Sequence, residues 1–292
     1  MQPLLLNAPD LLIVQGDTSS ALGAALAGFA AGIPVAHVEA GLRTHDPSLP
    51  WPEEEYRTAI DADADLLFAP TELSAANLYA EKVPGDIHVT GNSGIDALLE
   101  AASRLPPPSL CERGNKKRLL VTCHRRESWG DGLESIAAAL TELAAQGVEI
   151  DFVLHPNRFV ASKMRHFLAG TRALRLLDPC GHDELLRRMR DADLVLSDSG
   201  GIQEEAPALG VPLLVLRDKT ERPEGIAAGS SLLVGTDRRR IVTEVERLLG
   251  DPVALAAMSR PVLPFGDGHA GPRIAAIIMT WLQQRSLTRR TA

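Results

Sequence analysis

The chain has 292 residues, 45% of them hydrophobic and 23% charged, which is enough for one or two ordinary globular cores. A formal net charge of −8, with basic runs no longer than three residues, as at Arg238–Arg240 and Arg289–Arg290, argues against the clustered positive face that a nucleic-acid partner requires. No stretch reaches the roughly 20 apolar residues of a membrane span, so no membrane partner is expected, and three scattered cysteines (Cys111, Cys123, Cys180) point to a reducing, cytoplasmic setting.

The opening MQPLLLNAPD lacks the features of a secretory leader. Leu11 to Gln15 then forms a short apolar run closed by Gly16, Asp17 and Thr18, predicting a strand, a loop and an Ala-rich helix to about Ala31, capped by Ser19 or Ser20. Gly32 stops that helix and Ile33 to Val38 reads as the next strand. A loop from Glu39 to Pro52 leads into a helix over Glu53 to Ala62, with Pro52 suited to its start. A strand at Leu66 to Ala69, a helix at Glu72 to Tyr79 and a strand at Ile87 to Thr90 follow.

Arg104 to Lys117, with three consecutive prolines and no periodicity, reads as a linker. Beyond it the alternation restarts: strands at 118–122, 150–154, 174–177, 194–196, 212–216 and 231–234, helices at 132–145, 159–168, 183–190 and about 239–249, and a final helix at about 274–285. Strand and helix in alternation imply parallel sheets with right-handed crossovers. The expected fold is α/β: two doubly wound, Rossmann-like domains facing a cleft. The boundaries are a partial first domain at 1–100, a linker at 101–117, a second domain at 118–265, and a C-terminal helical segment, 266–292, that returns to the first domain.

Ligands of such folds sit at the carboxyl ends of the strands. Leu194 to Pro207, LVLSDSGGIQEEAP, is the clearest candidate: a buried strand, a small-residue turn at Ser199, Gly200 and Gly201, then a helix whose first N–H groups suit a phosphate. Glu204 and Glu205, one turn in, could accept from a sugar hydroxyl pair or merely complement the helix dipole. Asp17 either faces the crevice or caps the following helix. Glu39 extends an apolar strand, so it is either a proton-transfer carboxylate of raised pKa or the partner of Arg43. His37 lies inside that strand and reads as a satisfied core histidine. His124, beside Arg125, Arg126 and Glu127, is a candidate acid/base or phosphate ligand. Arg217 and Arg222 could grip a phosphate or belong to a surface charge cluster. Neither His124 nor His155 has ligands at zinc spacing, so no metal is expected, and no Gly-x-Gly-x-x-Gly or Walker loop is present to imply a cofactor.

Taken together, GDT at 16–18, HVEAGLRT at 37–44, PWPEE at 50–54, FAPTE at 68–72, HRRE at 124–127, SDSGGIQEEAP at 197–207 and TERPE at 220–224 resemble the non-hydrolysing UDP-N-acetylglucosamine 2-epimerases of the GT-B fold. The resemblance implies elimination of UDP from UDP-N-acetylglucosamine and its re-addition with inverted C2, with no cofactor, in a homodimer. It implies catalytic roles for Asp17, Glu39, Glu53 and His124. Substrate contacts would come from Arg125, Ser199, Gly200, Gly201, Arg222 and Glu205, the last at the ribose. Leu185 falls where the family places an aromatic facing uracil, and HPNRFV at 155–160 departs from the family's Asn-Pro-Asn pattern. The family's N-terminal segment, with an Arg and a Lys near the nucleotide, has no counterpart here, and the first domain is expected to be incomplete. A hydrolysing relative releasing N-acetylmannosamine and UDP, and a truncated, non-catalytic UDP-sugar-binding protein, are the alternatives.

Overall fold

The computed structural model describes residues 9–106, 117–123, 125 and 129–291, with side chains through Leu287. The chain divides into two compact units, Met1–Leu99 with Phe265–Ala292, and Glu100–Pro264. The first comprises β1 (Leu12–Gln15), α1 (Ser19–Ala30), β2 (Val35–Val38), α2 (Glu53–Asp63), β3 (Leu66–Ala69), α3 (Glu72–Glu81) and β4 (Asp86–Val89). Helix α4 (Ser93–Arg104) runs across the boundary. The second unit contains β5 (Arg118–Thr122), α5 (Asp131–Ala145), β6 (Glu149–Val153), α6 (Arg158–Phe167), β7 (Leu174–Leu177) and α7 (His182–Asp191). It continues with β8 (Leu194–Ser197), α8 (Gly200–Leu209), β9 (Leu213–Val215), α9 (Glu224–Ala227), β10 (Ser231–Leu233), α10 (Arg238–Gly250) and α11 (Pro252–Met258). The chain then returns to the first unit as α12 (Ala270–Thr291).

In the first unit β1, β2, β3 and β4 lie side by side in chain order, all parallel. Successive residues of a strand face opposite sides of its sheet, and both sides here are covered. Val14 and Val35 pack with Ala21 and Ala25 of α1 and Ile60 of α2, whereas Ala36, Val38, Leu66 and Phe68 pack against Ile274, Ile277, Ile278 and Trp281 of α12. This alternation decides where His37 goes: it shares the face of Val35 and therefore meets α2. The loop after β2 approaches α3 so closely that a Cβ on Gly41 (φ +82°) would sit 2.2 Å from the Ser74 carbonyl oxygen.

In the second unit the strand order is β10-β9-β8-β5-β6-β7, again all parallel. The chain winds outward from β5 through β6 to β7, then resumes at β8 on the other side of β5. Neighbouring crossovers therefore diverge between β5 and β8, the switch point at which doubly wound sheets open a crevice. Leu119, Val121, Phe152, Leu196 and Leu214 of the sheet pack with Leu140 of α5 and Val245 of α10 in its core.

Several boundaries differ from the sequence expectation for local reasons. The cap of α1 is Thr18, whose hydroxyl accepts from the Ala21 N–H at 3.1 Å, rather than Ser19 or Ser20. Helices α4, α9 and α11 are additional elements. Helix α12 begins four residues earlier than its apolar pattern because Asp96 of α4 accepts from the N–H groups of Ala270 (3.0 Å) and Gly271 (2.7 Å), supplying a cap from another element.

Candidate active site

Asp17 follows β1 and Glu39 follows β2, at neighbouring carboxyl ends of the first sheet, while Glu53 is the first residue of α2. The backbone at Glu39 is left-handed (φ +71°), a conformation costly for a residue with a Cβ. It is held by two bonds to one acceptor, the Glu39 and Ala40 N–H groups both donating to the Phe68 carbonyl at 3.1 Å. The result is a half-buried carboxylate whose Oε2 lies 3.4 Å from where a Gly16 side chain would begin. Asp17 and Glu39 thus flank one glycine turn. A conformation this specific at a strand end is the kind of strain that accompanies function.

Helix α2 fixes that geometry with a buried polar stripe at Glu54, Arg57 and Asp61, three and four residues apart on one face. Arg57 donates through Nε (3.0 Å) and Nη2 to Asp17, and through Nη1 to Glu54 (2.9 Å). Asp17 is therefore not a helix cap; its carboxylate is drawn to α2. The other Glu54 oxygen accepts from the N–H groups of Thr44 (2.9 Å) and His45 (3.0 Å) in the loop beyond Glu39. Asp61 accepts from His37 Nδ1 (2.6 Å), the Gly41 N–H (3.1 Å) and Arg43 (2.8 Å), and His37 Nε2 donates to the Gly16 carbonyl (3.0 Å). His37 is a satisfied core histidine, with an acceptor at each ring nitrogen. Arg43 pairs with Asp61 and, at 2.8 and 2.7 Å, with Glu81, so it is not reserved for Glu39. Burial pushes the Asp61 carboxyl up, but His37 and Arg43 outweigh it and hold it below the usual carboxylate range.

In the second unit a cavity of about 320 Å³ opens at the switch point, lined by Thr122 and Cys123 after β5, His155 and Pro156 after β6, Leu185 of α7, and Glu205 of α8. Val153, Leu154 and Ile202 add apolar wall. Ser199 and Gly201 bring the start of α8 to the same cavity, and Ser199 makes no side-chain cap, so the first-turn N–H groups keep their donor character toward an anion. The two glutamates of QEE part company. Glu205 faces the cavity, where burial pushes its carboxyl up and the His182 ring at 2.9 Å opposes the rise. Glu204 is buried and bonds Arg222 Nε at 2.5 Å.

Arg222 also bonds Glu221, which binds Arg217 at 2.9 Å, and all four residues of this network are buried rather than on the surface. With two of its nitrogens engaged, Arg222 acts as a pinned charge beside Gly200: a Cβ there would lie 2.9 Å from Arg222 Nη1 and 3.3 Å from Arg125 Nη2. Arg125 is itself anchored by its N–H to Asp198 (2.8 Å). Such a site can hold an apolar ring between the walls, a hydroxyl pair at Glu205 and an anion at the helix start with two guanidiniums beside it.

His124, Arg126, Glu127 and Cys111 lie outside the described residues. Among the described residues no set of His, Cys, Asp or Glu is placed to hold a metal ion, and no helix is long and apolar enough to cross a membrane. Glu54, Arg57, Asp61 and His182 escaped the sequence reading. The signal for the first three was charge at positions 54, 57 and 61, where an amphipathic helix would present its apolar face; His182, alone at a helix start, carried none.

Two parallel-sheet α/β units of this topology place the chain in the GT-B fold class. The sequence profile of the UDP-N-acetylglucosamine 2-epimerase family matches residues 3–279. A UDP-N-acetylglucosamine 2-epimerase of Salmonella typhimurium is 44% identical over 96% of this chain and 78% of its own length, and one of Escherichia coli is 46% identical over 94% and 77%. The crystal structure of the Neisseria meningitidis enzyme bound to UDP-GlcNAc superimposes with a TM-score of 0.91, at 37% identity, covering 96% of this chain and 78% of that one. The chain belongs to the UDP-N-acetylglucosamine 2-epimerase family.

Proposed function

We propose that the chain interconverts UDP-N-acetylglucosamine and UDP-N-acetylmannosamine without net hydrolysis. A carboxylate removes the C2 proton, the C1–O bond to UDP breaks with its electron pair leaving on the diphosphate, and a C1=C2 double bond forms. UDP then adds back at C1 while a proton arrives on the opposite face of C2. The reading rests on one arrangement: Asp17 and Glu39 flanking the Gly16 turn, held by the α2 stripe. Two carboxylates at neighbouring strand ends suit a reaction that needs both a base and an acid at one carbon. Glu53 and His124 complete the proton-transfer set by resemblance.

The second unit supplies nucleotide binding in this reading: uracil between Leu185 and the apolar walls, ribose hydroxyls on Glu205, diphosphate at Ser199, Gly200 and Gly201 with Arg125 and Arg222 beside it. Fixed donors aimed at the departing diphosphate stabilise the charge that develops there. The resemblance adds a homodimer, and the scattered cysteines add a cytoplasmic setting.

Proton NMR of UDP-N-acetylglucosamine incubated with the protein in D₂O tests the reading. Deuterium at C2 together with a UDP-N-acetylmannosamine signal supports it. Free N-acetylmannosamine with UDP selects the hydrolysing reaction, and UDP binding with an unchanged spectrum selects a non-catalytic binding protein. A second expectation concerns the turn itself. In Gly200→Ala the new methyl meets Arg222, which cannot swing aside because Glu204 and Glu221 hold it. Overpacking of this kind costs about 1–3 kcal/mol, and where it is relieved by moving the turn away from Arg222 the UDP affinity measured by calorimetry should fall by about fivefold or more.

A further inference from the structure

His182 is the first residue of α7 and Glu205 lies in α8, and the two meet where both elements line the cavity. A helix N-terminus disfavours a cation, so nothing in α7 itself asks for histidine at that position. The pair instead joins two elements 23 residues apart, with His182 Nε2 2.9 Å from Glu205 Oε1. Among the described residues His182 engages only Oε1, and Glu205 lines the cavity, so Oε2 keeps its capacity to accept.

The other ionisable side chains lining the cavity, among the described residues, are His155, Cys123 and Cys180. His155 Nδ1 accepts from the Asn157 N–H at 3.1 Å, and Cys123 Sγ donates to Asp198 at 3.2 Å, so both are engaged locally. On α7 itself Asp183 and Glu184 occupy the first turn, and Glu184 is tied to Arg187 and Arg188. Among the described residues no arginine or lysine lines the cavity to balance Glu205.

We propose that His182 is a positioning residue for nucleotide capture: its ring fixes the Glu205 carboxylate in the geometry that accepts the ribose hydroxyls and, when protonated, keeps that carboxylate charged inside an apolar wall. The inference rests on the nucleotide reading of the cavity and adds a residue to it. Burial raises Glu205 and His182 counteracts the rise, so removing the ring lets the carboxylate take up a proton at higher pH. A protonated carboxyl offers one acceptor fewer to the hydroxyl pair, and binding weakens.

The test is calorimetric titration of UDP into the full chain between pH 6 and 8, for the wild type, His182→Gln and Glu205→Gln. Histidine changes charge across this range while glutamine keeps only a neutral donor. At pH 8 the wild type and His182→Gln should bind UDP with the same affinity. At pH 6 the wild type should bind about three- to fivefold more tightly, the span of a partly exposed ion pair. Titration of UDP itself affects all variants alike and cancels in the ratio, and Glu205→Gln should bind weakly at both pH values. A ratio that stays constant with pH, or no difference at all, overturns the role of His182 while leaving the cavity a nucleotide site. Absence of UDP binding by the wild type at every pH overturns the reading of the cavity and this inference with it.

Discussion

Glu39→Gln is expected to lower turnover by about 10²–10⁴-fold, the range a positioned acid or base contributes, and to abolish deuterium entry at C2. UDP binding, which draws on the second unit, should persist in calorimetry. The substitution keeps shape and volume and removes only the ability to exchange a proton, and the left-handed backbone at this position is imposed by the Phe68 carbonyl rather than by the side chain. Turnover within tenfold of the wild type would remove Glu39 from proton transfer; a large loss in Asp17→Asn at the same time would assign that task to Asp17. Asp17 is paired with Arg57, so Asp17→Asn also removes a contact that holds α2 and is read together with its effect on the thermal midpoint.

Asp61→Asn should be the more damaging change to stability. Asp61 is fully buried and joins His37, Arg43 and the Gly41 N–H, so the amide leaves a buried guanidinium and a buried imidazole short of their counter-charge. Removing one partner of a buried ionic network costs about 3–5 kcal/mol. For a domain of this size that corresponds to a thermal midpoint lower by on the order of 10 °C. The pH dependence follows from the depressed carboxyl of Asp61. Its stabilisation is complete above the unfolded carboxylate value near ~4 and is lost as pH falls through the lower folded value. The gap between wild type and Asp61→Asn in urea denaturation should therefore be full at neutral pH and close in acid. A gap under about 1 kcal/mol at neutral pH, or one that does not narrow in acid, would refute the role given to this network.

The parallel strands were legible because each is a short apolar run ended by a polar or small residue, as in LVLS before the Ser199 turn. Their carboxyl ends then located Asp17, Glu39 and the α8 turn without further information. Pairings across long sequence separation were not legible. Asp17 stays open between crevice and cap until Arg57, 40 residues on, is brought beside it and Thr18 takes the cap. The partners of Glu54, Arg57 and Asp61 on α2 were not legible either, because a sequence pattern cannot distinguish a charge facing water from one facing another charge. Glu204 and Glu205 are adjacent and chemically identical, and only the position of Arg222 separates a structural carboxylate from one that faces the cavity. Helix α4 was hidden by its place beside a proline-rich stretch, although Ile95 and Leu98 are fully packed.

The first unit is built from two separated stretches of chain, and α12 covers one face of its sheet through Ile274, Ile277, Ile278 and Trp281. During synthesis, strands β1 to β4 emerge long before the helix that covers them, with all of Glu100–Pro264 made in between. At ordinary elongation rates that interval is on the order of ten seconds. The second unit, whose core comes from one continuous stretch, can close as it leaves the ribosome, whereas Ala36, Val38, Leu66 and Phe68 wait with one face uncovered. Helix α12 therefore completes the sheet of β1 to β4 only after the whole second unit has been made, and that face of the nascent chain is most prone to association in the period before α12 arrives.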